Sequence, residues 1–299
     1  MNPAAVGVAV ATLWAAPDRT RPSDAAALRD EPDIGAWIAA MTPEEQTGSG
    51  VVTQLLLGDP VLVDEVRPDG WARVVAPGQP AGGLDPRGYP GWMRAAQLTG
   101  PAAEGGAPRV VDAVTTALTA TPAGAVVLPG IALGTLLTPA GPAADGWLPV
   151  RVAGRDGPLW VPAGDLAPVP PGPPAGDEVL AVARRLRGAV YVWGGLSSLG
   201  IDCSGLVHLV WRRLGVRLPR DAHDQSAATT PVPRGRERPG DLYFFARPGA
   251  RVHHVGIVVT PPDGTTPGRM LHASLRSHRV VEEPMPPERA ATLTGIHRP

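Results

Sequence analysis

The sequence predicts an α+β protein in which two tandem small β-barrels precede a mixed domain with helices first and strands after. Three observations favour this fold class: two stretches repeat the same spacing of Gly and Trp, a proline-rich spacer follows them, and the last third changes from short strands to longer helices. We expect domains at residues 1–102, 107–170 and 176–299.

Composition narrows the functional classes. The 299 residues suffice for two or three domains. With 27 basic and 28 acidic residues the net charge is −1, so we expect no nucleic-acid partner and no attraction to an anionic membrane. The single cysteine cannot form an internal disulfide, so folding needs no oxidising compartment.

The N-terminal stretch "MNPAAVGVAVATLWAAP" is open to two interpretations. It resembles the apolar part of a signal peptide, but the first basic residue is Arg19. The alternative is a first β-strand, since valines alternate there with small residues. We expect a cytoplasmic protein, with secretion or wall association as the alternative. No run reaches the roughly 20 apolar residues of a membrane span, so no membrane insertion is expected.

The repeat consists of "LGDPVLVDEVRPDGW" leading to "GWMRAAQL" and "LGTLLTPAGPAADGW" leading to "LWVPAGDL". Each copy shows strands separated by turn signals, which is typical of a small β-barrel. Chance matching is the alternative, because glycine is common in this chain. The matched spacings are Gly58 to Trp71 with Gly134 to Trp147, 13 residues each, and Trp92 to Leu98 with Trp160 to Leu166, 6 residues each.

Two segments depart from the barrel pattern. Residues 19–48 interrupt the first copy, and "SDAAALRD" and "DIGAWIAAMTPEEQ" within them are predicted to be helical. The stretch "PVPPGPPAGD" at 168–177 is predicted to be a semi-rigid spacer.

The third domain is predicted to begin with a helix in "DEVLAVARRLRG", followed by a short strand in "AVYVWGG" and a second helix in "CSGLVHLVWRRLG". Three strands are expected after them, at 241–245, 254–260 and 269–274.

Cys203 lies at the first turn of the second helix. The unpaired N–H groups and the positive end of the helix dipole are expected to lower its thiol pKa and to favour a nucleophilic thiolate. The same N–H groups could hold an oxyanion. The alternative is a buried structural cysteine, the commonest fate of a lone one.

Two histidines could complete a catalytic set. The loop between His254 and His272 centres on Asp263, so a symmetric hairpin would place them side by side, as base and orienting group for Cys203. Ordinary surface histidines are one alternative and zinc binding with Cys203 is another, although no paired metal-ligand spacing includes the cysteine. We expect no metal and no cofactor.

Six motifs in one order resemble those of the NlpC-type bacterial cell-wall cysteine peptidases, which have a smaller version of the papain-like fold. The motifs are "YVWGG", "DCSGLV", "LPRDAHDQ", "RPGDLYFF", "HVGIVV" and "LHAS". The two predicted barrels are similar to bacterial SH3-like domains. Together they resemble the γ-D-glutamyl-L-diamino-acid endopeptidases of murein peptide recycling.

This resemblance implies roles for individual residues. The alternatives are a core strand for Tyr191 and Trp193, and simple helix capping for Asp202. Ala222 departs from the family, which often has a small hydroxyl residue there, and Arg220 either shapes the cleft or is simply exposed. The implied roles are Cys203 as nucleophile, His254 as base, His272 as third polar member, Tyr191 and Trp193 as cleft lining, and Asp202 and Ser204 as groups that hold the substrate backbone.

The resemblance also implies that the first barrel closes one end of the cleft and binds the free amine of an N-terminal L-alanine. Tyr89 of "RGYPGW" is the candidate aromatic, and a loop aromatic that merely covers the barrel is the alternative. The acidic partner stays open among Glu44, Glu45, Asp59 and others.

The function so implied is hydrolysis of the amide between γ-D-glutamate and meso-diaminopimelate or L-lysine in short murein peptides with a free L-alanine. A secreted hydrolase of intact wall and a non-catalytic module that binds wall fragments are the alternatives. The sequence does not decide the diamino acid or the oligomeric state.

Overall fold

A computed structural model describes residues 2–48, 50–101 and 106–299. The predicted bounds of the first domain, at residues 1 and 102, lie outside this part of the chain. The described residues form three sheets and a few helices, so the α+β class is confirmed. None of the helices in the described part is long and apolar enough to cross a membrane.

The first sheet has seven strands in the order β3-β2-β6-β5-β4-β1-β7. The apolar N-terminus forms two of them rather than one strand, with a turn after Val6. The strands are β1 (Asn2–Val6), β2 (Val10–Trp14), β3 (Val51–Leu56), β4 (Pro60–Val66), β5 (Trp71–Ala76), β6 (Tyr89–Arg94) and β7 (Leu98–Thr99).

The second sheet repeats this order as β10-β9-β13-β12-β11-β8-β14. Gly58 and Gly134 occupy the same turn in the two copies, with φ of 78° and 83°, a conformation that favours glycine. The repeated spacing therefore reflects a repeated topology. The strands are β8 (Arg109–Val111), β9 (Thr115–Thr119), β10 (Val126–Ala132), β11 (Leu136–Pro139), β12 (Trp147–Arg151), β13 (Leu159–Pro162) and β14 (Leu166–Pro168).

Closure of these sheets into barrels is not confirmed. Each strand order begins and ends on a different strand, and no ladder joins β3 to β7 or β10 to β14 within the described residues. Short 3₁₀ helices connect strands at Pro17–Arg19, Ala95–Gln97 and Ala163–Asp165.

The insertion in the first sheet is less helical than predicted. "SDAAALRD" gives only a 3₁₀ helix, Pro22–Ala26, and the second stretch gives α1 (Ile34–Ala40) and α2 (Pro43–Thr47). The break falls at Thr42, whose backbone is extended before Pro43 and whose hydroxyl caps α2.

The C-terminal region contains a nine-stranded sheet in the order β16-β17-β15-β22-β21-β20-β19-β23-β18. The predicted strands 254–260 and 269–274 are confirmed, and the third begins at Leu242 instead of Asp241. The strands are β15 (Val190–Tyr191), β16 (Leu196–Ser197), β17 (Gly200–Ile201), β18 (Thr230–Pro231), β19 (Leu242–Phe245), β20 (His254–Thr260), β21 (Arg269–Ser274), β22 (Arg279–Pro284) and β23 (Leu293–Arg298).

Four helices accompany this sheet, and the second of them is the most deeply buried. Ten of its eleven residues are buried, because it packs against the sheet and the other domains. Trp37 of the first sheet's insertion and Leu133 beside the second sheet share its hydrophobic core. The helices are α3 (Gly176–Arg185), α4 (Cys203–Arg213), α5 (Ala222–Ala228) and α6 (Pro287–Ala290).

Ion pairs fix α4 to both N-terminal sheets. Arg212 contacts Asp59 of the first sheet, and Arg213 contacts Asp112 after β8 at 2.6 Å. The C-terminal end of α4 is therefore held against both N-terminal sheets.

Close packing at the start of α4 requires a glycine. A Cβ on Gly205 would collide with the carbonyl oxygen of Gly195, whereas one on Gly35 in α1 would meet nothing closer than 3.6 Å. We expect Gly205→Ala to lower the free energy of unfolding by about 1–3 kcal/mol through overpacking. Gly35→Ala is the matched control and should raise it by up to about 1 kcal/mol through helix propensity. Denaturant unfolding measures both, and equal effects would contradict this packing.

Candidate active site

Asp202 begins α4 and orders the loop before it. Its Oδ1 accepts a hydrogen bond from the Gly205 N–H at 2.7 Å, and its Oδ2 accepts one from the Gly194 N–H at 2.8 Å. The capping interpretation is therefore confirmed. The cap places Cys203 at the first helical position.

Arg220 is buried, and the expectation of an exposed arginine is wrong. Its side chain is only 1% exposed and makes a two-armed contact with Asp202, through Nη1 at 3.0 Å and Nη2 at 2.9 Å. Its other N–H groups reach Ser204 Oγ, the Gly195 carbonyl and Thr53 Oγ1. Burial of the Arg220 guanidinium is tolerated because each of its N–H groups has a hydrogen-bond acceptor.

Cys203 is 7% exposed, and its sulfur lies against the backbone N–H of Val255, the residue after His254. Burial, with the nearby Asp202 carboxylate, raises the pKa of the Cys203 thiol to about 12. The prediction of a lowered pKa is wrong, because desolvation of the charged sulfur outweighs the helix N–H groups. The resting thiol is protonated at neutral pH.

The two predicted histidines meet, but not by the predicted register. A symmetric hairpin would pair His254 with His272, whereas the ladder pairs Ile257 with Leu271 and Val258 with Met270. The ladder is offset by two residues from the symmetric pairing, so the histidines are diagonal neighbours on one face. Their rings still contact directly, with His254 Nε2 and His272 Nδ1 2.8 Å apart.

Glu283 on β22 is the third member of this hydrogen-bonded series of side chains. The sequence analysis missed it. Its Oε1 lies 3.1 Å from His272 Nε2. A carboxylate only accepts hydrogen bonds, so neutral His272 carries its proton on Nε2 and offers Nδ1 as an acceptor. His254 then donates from Nε2, which leaves its Nδ1 unprotonated and able to receive a proton.

The two histidines are buried and neutral. Burial lowers the pKa of His254 well below its usual range, and it also lowers the pKa of His272, although Glu283 opposes the second shift. A neutral imidazole can act as a general base, and Val255, the residue after His254, brings this end of β20 to the Cys203 sulfur.

The other predicted binding residues differ in their accessibility. Tyr191 is buried near Cys203, and burial raises the pKa of its phenol. Trp193 is 48% exposed, and its backbone N–H donates to the Gln46 carbonyl of α2 at 2.8 Å. Ser204 is held by Arg220. Roles in substrate binding remain predictions for all three.

Tyr89 reaches the C-terminal region from the first sheet. Its hydroxyl donates to Asp221 Oδ2 at 3.1 Å, and burial raises the pKa of both side chains. Asp221 was not among the acidic candidates from the sequence. Two that were have other partners, since Asp59 pairs with Arg212 and Glu45 bonds Ser23.

Potential metal ligands gather elsewhere. Within the described residues, the one compact group of three such side chains is Asp221, His223 and Asp224. Cys203 does not share a ligand set with the two histidines, so the geometry fits nucleophilic chemistry better than zinc binding.

Comparisons with known proteins agree with this arrangement. Residues 188–294 match the model of the NlpC/P60 family. The chain is 33% identical over 276 residues to a γ-D-glutamyl-L-lysine dipeptidyl-peptidase of Bacillus subtilis, covering 89% of this chain and 88% of the relative. It is 32% identical to the protein of the same name from Bacillus cereus, covering 93% and 84%. A crystal structure of an NlpC/P60 family protein from Bacillus cereus matches with a TM-score of 0.86 at 28% identity, covering 99% of both chains.

The protonated thiol predicts an unusual alkylation profile. Because the pKa of Cys203 is about 12, its reaction with iodoacetamide at pH 8 should be slower than that of free cysteine, whose pKa is about 8.5. The rate should still rise above pH 9, as the thiolate fraction grows. Alkylation quenched at a series of times and analysed by mass spectrometry measures this rate. A rate that is already constant from pH 7 upward would instead indicate a resting thiolate.

Glu283→Gln tests whether Glu283 sets the tautomers of His272 and His254. A glutamine side chain can donate, so His272 could carry its proton on Nδ1 and force the His254 proton onto Nδ1, the nitrogen that the proposed base needs free. We expect alkylation of Cys203 at pH 7 to slow by about tenfold or more, the usual effect of losing an orienting carboxylate. The neighbouring Glu282 pairs with Arg184, so Glu282→Gln is the matched control and should leave the rate unchanged. Equal rates for the wild type and the two variants would contradict the assignment of the histidine tautomers to Glu283.

Proposed function

The chain belongs to the NlpC/P60 family, and we propose that this cysteine peptidase hydrolyses the amide between the γ-carboxyl of D-glutamate and a diamino acid in short murein peptides. The observation that carries the proposal is the line of contacts from Glu283 through His272 to His254, together with the backbone N–H of the next residue, Val255, which lies against the Cys203 sulfur. The names of the two Bacillus relatives support the bond that is cleaved.

The first half of the reaction forms a thioester. His254 Nδ1 takes the thiol proton as Cys203 Sγ attacks the γ-carbonyl carbon of D-glutamate. The carbonyl oxygen becomes an oxyanion, which the backbone N–H groups at the start of α4 stabilise. The protonated His254 then gives its proton to the amine of the diamino acid, the C–N bond breaks, and this amine leaves.

The second half restores the enzyme. Neutral His254 removes a proton from water as the water oxygen attacks the thioester carbon, and the sulfur leaves and regains the proton from His254. The released acid ends in D-glutamate. Proton transfer in both halves uses the same nitrogen, so the tautomer set by Glu283 matters in each.

The end of the cleft near the first sheet fits a free amine. Tyr89 and Asp221 present a phenol oxygen and a carboxylate 3.1 Å apart, with the tyrosine buried and the aspartate partly buried. An ammonium group would add a positive charge beside the partly buried Asp221 carboxylate, whose pKa is raised by burial although Arg220 opposes the shift. An acylated or chain-linked alanine would lose this charge.

This arrangement supports a role in recycling freed peptides rather than in cutting intact wall. A cytoplasmic location follows from that role as part of the same proposal. The two N-terminal sheets are SH3-like units in this proposal, supported by their common strand order.

The defining experiment incubates the purified protein with L-Ala-γ-D-Glu-L-Lys and L-Ala-γ-D-Glu-meso-diaminopimelate. We expect release of the free diamino acid from at least one peptide, and none with Cys203→Ala. N-acetylation of the alanine should lower kcat/KM by about tenfold or more, the cost of one lost charged hydrogen bond. Liquid chromatography of the products measures each result.

Asp221→Asn should raise KM for the free peptide by a similar factor and leave the N-acetylated peptide unaffected. Asp224→Asn, on the same helix, is the matched control. Intact peptides after incubation with reduced wild-type protein would refute the proposed activity. Cleavage of insoluble sacculi at a comparable rate would favour the secreted hydrolase instead.

A further inference from the structure

A cavity of about 240 Å³ lies beside the histidine pair of the active site. His272 on β21, Glu283 on β22 and Arg289 on α6 all form part of its wall. The proposed proton transfers use the first two of these side chains but not the third. A guanidinium therefore shares one space with the groups that orient the base.

Arg289 is held near the histidine pair by an aromatic ring. Its guanidinium carbon lies 5.7 Å from the centroid of the Phe245 ring. The His254 ring packs against the same phenylalanine, with 5.6 Å between the ring centroids. Phe245 is fully buried, and among the residues that the structure describes Arg289 forms no ion pair. The charge of Arg289 thus acts on the histidines through a buried ring, where water screens it weakly.

Most other titratable groups around the pair are neutral or paired at neutral pH. Burial raises the pKa of the Cys203 thiol and of the Tyr191 phenol, and it lowers the pKa of His253. Glu288 forms an ion pair with Arg276 at 2.7 Å. What remains is the carboxylate on β22, the guanidinium on α6 and one further arginine of the cavity wall, at an exposed position.

The contact of Glu283 with His272 has two opposed effects. It orients the ring through Nε2 at 3.1 Å, but a carboxylate also favours the charged imidazolium. An imidazolium donates from both nitrogens, so a charged His272 would donate from Nδ1 to His254 Nε2, 2.8 Å away. His254 would then carry its own proton on Nδ1, the nitrogen that the proposed base needs free. Protonation of His272 would therefore disable the base while His254 itself stayed neutral.

We propose that Arg289 is a positioning residue whose positive charge opposes that of Glu283 and keeps His272 neutral, so that Nδ1 of His254 stays free to accept the thiol proton. The inference rests on the proposed function and adds the residue that preserves the base as the solution becomes acidic.

The directions of the pKa shifts agree with this balance. Burial is the main cause of the lowered pKa of both histidines, Glu283 acts to raise the pKa of His272, and Arg289 acts to lower both. Without the charge of Arg289 the pKa of His272 should rise. His272 would then become protonated, and the base would be lost, at a higher pH than in the wild type.

A direct test follows the imidazole C–H signal of His272 by NMR between pH 5 and pH 8, the range in which histidines usually titrate. Loss of the signal in His272→Gln identifies it. Arg289→Gln should raise the pH at which the signal titrates, and Arg289→Lys should largely restore the wild-type titration because lysine keeps the charge. The readout needs no substrate. An unchanged titration in Arg289→Gln would overturn the inference.

Arg247→Gln is the matched control. It removes the same charge from the same cavity wall, but at an exposed position where water screens it. Its effect on the His272 titration should be clearly smaller. A shift as large as that of Arg289→Gln would show that His272 responds to the total charge of the cavity and not to the placement of Arg289, and would also overturn the inference.

The pH dependence of kcat/KM for L-Ala-γ-D-Glu-L-Lys and L-Ala-γ-D-Glu-meso-diaminopimelate links the charge to catalysis. The loss in Arg289→Gln should be severalfold near pH 5 and should shrink toward pH 8. A rise in KM of equal size at every pH, with the His272 titration unmoved, would place Arg289 against the substrate and overturn the positioning role. A shifted titration without cleavage of either peptide would support the effect of Arg289 on His272 and refute only the proposed activity.

Discussion

The buried contact between Arg220 and Asp202 is the constraint on which the site depends. Removing both charges from water is costly unless their remaining hydrogen-bonding groups are satisfied. Here Asp202 caps α4 and holds the loop at Gly194, while Arg220 also reaches Thr53 on the first sheet. One ion pair therefore fixes the start of α4, the loop before it and a neighbouring domain together. Cys203, the proposed nucleophile, follows the cap Asp202 and so takes its position from that junction.

In the proposed mechanism, Glu283, His272 and His254 fix the positions of protons and do not create a strong resting charge. The thiol and both imidazoles are buried, and burial disfavours the charged form of each. Charge then develops only as the substrate carbonyl is attacked, when the oxyanion can be stabilised by helix N–H groups. The partly exposed carboxylate of Glu283 carries the negative charge that orients the His272 ring. Substrate binding and proton transfer are thus coupled in one step.

Much of the fold followed from local patterns, and the site followed only in part. The repeated Gly and Trp spacing predicted two related units, and "HVGIVVT" and "RMLHAS" gave strands at the expected bounds. The residue types at the start of α4 identified Asp202 as a possible cap. They could not show that burial affects the pKa of the Cys203 thiol more than the helix dipole does. Arg220 and Glu283 act through partners 18 and 11 residues away. Local patterning does not encode such contacts, although a polar residue alternating into the buried face of β22 was a usable signal. The hairpin register differs by two residues from the symmetric pairing, an offset that the length of the loop does not reveal.

The protonated, enclosed state of the single cysteine has a consequence for survival under oxidative stress. Peroxides react with thiolates far faster than with thiols. With no second cysteine in the chain, a sulfenic acid formed here would have no resolving thiol within the chain and would be open to further oxidation. Keeping the sulfur protonated until substrate arrives therefore protects an enzyme that has no internal means of repair.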